Sequence, residues 1–284
     1  MFIQICLNGL TMSLTYILIA LGFSLIFGVA RTFNFAHGEL YMLGGWGVVI
    51  LFGKLGLNYG LSLLITMVVI GIIGIGIDKF FFRPFRGQVT APLVVALGLQ
   101  LLIAALALIV FGEKDVSVPS AFSGMTQIGT SRISNERISV ILISAVLLVG
   151  VYVFTRSTKP GLAMRAVPQN MEGALLQGVN IDRICYIAFF IGALLAAAAG
   201  GLLAPMLYVN VFQGPWAVFK AIIVVSLGGA GSIGGTCLAG LIVGFVEVFS
   251  YHYLGSAVSE IVGFFLIIVI LLVKPRGLFG RETV

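Results

Sequence analysis

The first thirty residues, Met1 to Ala30, carry no charged side chain, and five more uncharged runs follow: Leu55 to Ile77, Gly87 to Gly112, Ile138 to Thr155, Ile184 to Phe219 and Ala221 to Val246. A helix spans the hydrocarbon of a bilayer with about 20 apolar residues, so most of these runs are long enough and some are long enough for more than one crossing. Lipid satisfies no backbone N–H or C=O group, which leaves helices or a closed barrel as the only spanning structures. Barrel strands alternate apolar and polar residues, and a run such as LLIAALALIVFG does not. Hydrophobic residues make up 60% of the 284 and charged ones 9%, against roughly 25% charged in a soluble domain. The expected fold is an all-α integral membrane protein: one transmembrane domain over residues 1–284, a polytopic helical bundle with about eight membrane segments. The first run lacks a basic leader and a small-residue cleavage site, so it is expected to be a retained helix.

The formal net charge of +6 does not point to nucleic acid, because the basic residues are scattered and form no stripe. Their distribution reports orientation. Arg31, the group Lys79, Arg83 and Arg86, the group Arg156, Lys159, Arg165 and Arg183, and the tail with Lys274, Arg276 and Arg281 can share one side. That side collects 11 of the 16 basic residues and is cytoplasmic by the positive-inside rule. Cys6, Cys185 and Cys237 lie in apolar surroundings without a pairing pattern and read as packing residues.

The largest polar interruption is the 28-residue stretch from Arg156 to Arg183, with Pro160, Gly161 and Pro168 as breakers and residues 168–178 able to form a short helix. A membrane protein that keeps such a helix in water has something to dock there, so 156–183 is expected to be a cytoplasmic coupling loop. Residues 113–137, containing VSVPSAF, then lie outside and can form short extended pieces, a lip for an external partner or a plain solvated connection. The N-terminus is expected outside. After Pro205 the external connection YVNVFQGPW leads to Lys220. Residues 218–250 then make a hairpin: a limb down to Gly229, a turn through GGAGSIGG, and a limb from Thr236 to Phe249. Both limbs are marginal or short, so a broken or re-entrant glycine-rich hairpin is expected near the C-terminal end.

Two interruptions stand between apolar helices, RTFNFAHGELYMLGG and SLGGAGSIGG. Unwound backbone at membrane depth is tolerated where it lines a cavity or is buried in protein, so the translocation path is placed between them. Its candidate residues are Asn34, His37, Glu39, Gly44 and Gly45 on one side and Gly228, Gly229, Gly231 and Ser232 on the other. The alternative for Asn34, His37 and Glu39 is helix capping at the cytoplasmic interface. Gly229 to Gly234 matches GxGxxG, but without a strand before it the match reads as close helix packing, helped by Gly240 and Gly244. There is no GxxxxGK[ST] sequence, and His37 and His252 stand at no metal-ligand spacing. No catalytic, cofactor-binding or metal residue is expected. Glu247 and Glu260 are placed near the outer ends of helices.

NFAHGELYMLGGWG, the stretch EGALLQG, SLGGAGSIGG and the tail KPRGLFG together closely resemble the LivH-type permease of high-affinity branched-chain amino acid ABC importers, over essentially the whole length. The resemblance implies a permease subunit without its own ATPase site. It would pair with a second, LivM-type permease in the bacterial inner membrane and its lipid, above two cytoplasmic ATPases that use ATP and Mg. A periplasmic binding protein would deliver Leu, Ile or Val. EGALLQG is similar to the EAA loop of such importers, which implies ATPase coupling through Arg165, Glu172, Gly173, Ala174 and Gly178. The second position is Gly where Ala is usual, and the I-x-L-P ending is absent. Relatives of the same fold implied by the resemblance import urea, short amides or aromatic carboxylates. From a different class, an ATP-independent facilitator or secondary transporter explains the broken helices and leaves the 28-residue insertion without a task.

Overall fold

A computed structural model describes residues 2–278 apart from Val89, Gly129, Thr130, Ala230, Pro275 and Arg276. The expectations for Arg276, Arg281 and the side chain of Glu260 lie outside the described residues.

The chain is built from helices. The first, α1 (Phe2–Ala30), is followed by a six-residue irregular ascent and by α2 (His37–Val48), which runs on as a π-helical turn over Val49–Lys54. Then come α3 (Tyr59–Ile77), prolonged by tighter and wider turns to Phe85, and α4 (Ala91–Phe111). A small antiparallel pair, β1 (Met125–Ile128) and β2 (Ser131–Ser134), precedes α5 (Asn135–Ser157), α6 (Lys159–Ala166) and α7 (Met171–Leu176). The chain ends with α8 (Ile181–Leu203), α9 (Gln213–Gly228), α10 (Ile233–Leu254) and α11 (Ser256–Val273). Among the described residues, six helical stretches are long and apolar enough to cross a membrane: α1, α3 with its extension, α4, α5, α8 and α10.

Burial separates a centre from a rim. In their most apolar windows α1 is 78% and α8 72% buried, against 17% for α4 and 22% for α5. The centre is packed through small residues. Ala196 to Ala199 are fully buried, and a Cβ on Gly44 of α2 would lie 2.4 Å from the Ala197 carbonyl oxygen. A Cβ on Gly200 would come within 2.0 Å of the Tyr41 carbonyl oxygen, so the α2 and α8 backbones touch. Without a hydrophobic drive between helices in lipid, such close backbone approach is what holds them together. The rim shows the opposite chemistry: Leu101, Ile109 and Val146 are exposed, as lipid permits and water does not.

The two ends of the bundle differ as the charges suggest. At one end Arg31 donates to the Pro168 carbonyl and Arg86 and Arg83 both pair with Asp182, which gathers the loops around 31, 78–88 and 156–183. At the other end residues 113–137 are tied to the start of α1 by Arg137 and Asn8, and to the loop after α8 by the Val116–Val209 bridge and the Asn210–Asp115 hydrogen bond at 2.9 Å. The strand pair falls at 125–134, beyond VSVPSAF, whose first residue, Val116, makes the single bridge to Val209.

Two elements depart from expectation. The run 184–219 breaks at Ala204 and α9 starts at Gln213, so QGPW, expected in the outer connection, is its first turn, and Lys220 lies well inside the helix, 6% exposed. The ascending limb is a full 22-residue helix, Ile233–Leu254, running past the Phe249 expected as its end. Of the two limbs only α9, with 16 residues, is short.

Candidate functional site: two broken segments and the loop that touches them

The first break begins at Arg31, whose φ of 53° puts a bulky residue in the left-handed region. The chain then climbs back along α1: Phe33 packs on Phe23 and Phe27, and the His37 ring lies edge-on to Phe23. His37 Nε2 lies 3.1 Å from the Ile19 carbonyl oxygen, so that nitrogen carries the proton and Nδ1 is left as an acceptor. Thus α2 starts beside residues 19–23 of α1, well inside the bundle.

Asn34, His37 and Glu39 are 1%, 0% and 0% exposed. They cap nothing: Ala36 is the N-cap of α2 and no side chain bonds its free N–H groups. Both amide atoms of Asn34, Nδ1 of His37 and both carboxylate oxygens of Glu39 are without hydrogen-bond partners. The Glu39 carboxylate faces Gly214 in the first turn of α9, where a Cβ would lie 2.3 Å from Oε1. A helix N-terminus carries partial positive charge, which favours a carboxylate there. The capping half of the alternative finds no support in these bonds, and the three side chains are unsatisfied groups of the protein interior. Gly44 and Gly45 do not join them; they face Ala197 of α8 and Val209 and serve packing.

The second break is held from both sides. Gly228 lies against Gly235, closing the α9–α10 corner, and Gly229 and Gly231 have φ of 92° and 80°, which favours glycine. The Gly231 N–H bonds Ser24 Oγ of α1 at 3.2 Å, and Ser232 caps α10 by accepting from the Gly235 N–H. In the tail motif, the Leu278 N–H bonds the Leu227 carbonyl at 2.7 Å and pins the end of α9. Both breaks thus lie against the second half of α1, His37 at residues 19–23 and Gly231 at residues 24–28.

The insertion 156–183 forms two helices where one was expected. Pro160 and Gly161 start α6 and do not break it: Pro sits in the first turn, and the Thr158 side chain accepts from the Gly161 N–H. In α7 the Asn170 side chain caps the Gly173 N–H. The helix ends in a Schellman pair, Val179 N–H to the Ala174 carbonyl and Gly178 N–H to the Leu175 carbonyl, with Gly178 at φ 78°. Ala174 faces inward, while Arg165, Glu172, Gly178 and Leu176, the last 87% exposed, face out. The insertion meets the breaks at one corner. Gly28 of α1 lies between Pro168 and Gly231, with a Cβ position 3.7 Å from each, and Arg31 bonds the Pro168 carbonyl.

Two charged clusters had not been foreseen. Asp78, fully buried, and Asp182 share Arg86, and Arg83 pairs with Asp182 at 2.8 Å, which ties the end of α3 to the first turn of α8. In the interior Lys220 Nζ lies 2.6 Å from Glu247 Oε2, and Tyr16 donates to Glu247 Oε1 at 2.9 Å. Glu247 is therefore not at an outer interface; its partner Tyr16 is the midpoint of α1. The sequence did hold a signal: between residues 184 and 259, Lys220 and Glu247 are the only formally charged side chains, and they are of opposite sign.

A bundle with central small-residue packing, helices broken at depth and an ordered polar loop at one end defines a multi-pass membrane permease. The profile of the family described as branched-chain amino acid transport system, permease component, matches residues 5–273. The chain belongs to that family, and within it to the LivH-type permeases. It is 33% identical to the high-affinity branched-chain amino acid transport system permease protein LivH of Escherichia coli K12, over 100% of this chain and 97% of that protein. It is 32% identical to the corresponding permease BraD of Pseudomonas aeruginosa, with the same coverage. Among solved structures, PsaBC from Streptococcus pneumoniae in complex with Fab shares the fold with a TM-score of 0.53 and 11% identity, covering 95% of this chain and 91% of that one.

Proposed function

We propose that this chain is the permease subunit of an ATP-driven importer that moves leucine, isoleucine and valine across the bacterial inner membrane. A periplasmic binding protein hands the solute to the end carrying 113–137. Two ATPases, which bind the ATP and Mg, dock on the end carrying 156–183, and a LivM-type permease completes the path. About eight membrane segments result, with α9 as the short limb of a re-entrant hairpin. The names and full-length similarity of LivH and BraD support the substrate class.

The observation that carries the mechanism is the corner at Gly28 and Arg31. There the polar loop bonds the start of the first break through Arg31 and lies on Gly28, against which the turn of the second break also packs. A movement of the loop, driven by closure of the ATPases, is delivered to both breaks at once, and alternating access needs only that loop contacts differ between two states. Asn34, His37 and Glu39 then line the path in the state where it is hydrated or occupied, which satisfies their unpaired groups. A facilitator of the urea type has no use for a loop joined to both breaks.

The test is ATP hydrolysis by the co-expressed complex in nanodiscs with its binding protein, screened with leucine, urea, short amides and benzoate. Stimulation by leucine, isoleucine and valine supports the reading; stimulation by another solute reassigns the substrate. Solute flux that persists without ATP, with no copurifying ATPase, overturns it.

A further inference from the structure

We infer that Lys220, Glu247 and Tyr16 form a registry clamp that fixes the axial position of α9, and through it the contact between α9 and the path carboxylate Glu39. This rests on the importer reading above and adds positioning residues to it.

Along the bundle axis α9 is weakly held in its N-terminal half. It has 16 residues; its end is held by the Leu278 bond and the Gly228–Gly235 contact, but its N-terminal half follows an irregular connection and has no such pin. Its N-terminus is where the path is built: Gly214 faces the Glu39 carboxylate, and a Cβ on Gly38 would strike the Gly214 carbonyl oxygen at 2.0 Å. A slide of α9 by one residue, about 1.5 Å, would change that spacing by half the length of a hydrogen bond. Apolar contacts resist such a slide weakly, because one methyl replaces another.

Charge resists it. Lys220 stands six residues beyond Gly214 and is buried, with its ammonium on the Glu247 carboxylate and over the rings of Tyr16 and Trp216 at 5.7 and 5.5 Å. Glu247 is on α10 and Tyr16 on α1, and these two helices are locked together independently: Gly244 packs on Ser13 and Gly240 on Ile17. Gly263 of α11 lies beside the ammonium, with a Cβ position 3.9 Å from Nζ. The pair therefore references the N-terminal half of a short helix, whose other end is held at Gly228, to a rigid frame. Buried ion pairs add little net stability over apolar packing of equal volume, and fixing register is their best-attested use.

The experiment compares Lys220→Met, Glu247→Gln and the double variant, each in the full complex with binding protein and ATPases in proteoliposomes. Uptake of radiolabelled leucine is normalised to assembled complex. Thiol labelling is followed at Gln213→Cys in a background with Cys6, Cys185 and Cys237 replaced. Each single variant leaves a charge or donor unpaired and is expected to lower assembly. The double variant removes the charge and keeps an acceptor for Tyr16, so assembly is expected to recover. Uptake per complex should stay down by roughly tenfold or more, and the labelling rate at 213 should shift several-fold. Recovery of both uptake and wild-type labelling in the double variant would show the pair to be merely structural and overturn the inference. Uptake by the unmodified complex that does not depend on ATP would instead sink the importer reading, and the labelling result would still decide the registry.

Discussion

At the scale of single residues, glycines and buried charges carry the specificity of this fold, in different ways. Gly44 and Gly98 look alike in sequence, each in an apolar helix, but one meets the Ala197 backbone and the other has nothing within 4 Å of a Cβ. Gly44→Ala is expected to lower stability by about 1–3 kcal/mol through overpacking, while Gly98→Ala is neutral or stabilising by about 0.5–1 kcal/mol. Thermal unfolding of the two variants in the same detergent checks the difference in sign. Asp78 is the matching case for charge. It is fully buried and Arg86 is its partner, so Arg86→Met strands a carboxylate at a cost of about 3–5 kcal/mol. Adding Asp78→Asn should return most of that loss, and a double-mutant cycle of unfolding free energies reads the coupling.

Elements decide what the coupling loop can be asked. Gly178 invites substitution as a probe of docking, but its φ of 78° closes the Schellman end of α7, so any bulky residue there damages the helix itself. Leu176 gives the cleaner test, being 87% exposed. Leu176→Asp is expected to leave the permease folded while lowering ATPase copurification several-fold; full copurification with normal uptake would remove α7 from the docking surface. At the other end of the same contact, Arg31 holds a left-handed backbone that costs an L-residue about 1–2 kcal/mol. Arg31→Gly relieves that strain but loses the bond to Pro168. The variant should remain at least as stable as the parent in thermal unfolding while transporting less solute for each ATP hydrolysed, a split that a purely structural residue does not produce.

Across the whole molecule, the hydrocarbon constraint made the helical class legible, since long uncharged runs admit no other answer. The two interruptions were legible for the same reason, because polar and glycine-rich stretches interrupt otherwise continuous runs, but the helices are broken only over Arg31–Ala36 and between Gly228 and Ile233, and the rest of each stretch is helical. What was not legible lies where spacing in sequence says nothing about depth. Glu247 reads as interfacial by counting from the end of its helix, and only the overlap of α10 with α1 brings it to Tyr16. Pro160 reads as a breaker, yet at the first turn of α6 it has no N–H to lose. Asp182 and Asp78 are over a hundred residues apart and meet only because α8 returns to the end where α3 stops.

The end-to-end polarity of the bundle yields the prediction that tests the whole arrangement. Basic loops gather at the end carrying Arg31, Arg86 and Arg165, and the opposite end holds residues 113–137 against Asn8 and Asn210. Retention of positive loops on the cytoplasmic side then fixes which end faces which compartment. Ser120 and Gln169 are both exposed, one at each end. In a chain with its three cysteines replaced, Ser120→Cys should react with a membrane-impermeant maleimide in intact spheroplasts, and Gln169→Cys only after the membrane is opened. The reverse pattern would put the coupling loop outside, where no ATPase can reach it, and would turn the importer reading upside down. Labelling of both sites from outside would mean that the 113–137 and 156–183 loops lie on one side, which a single crossing by α5 does not allow.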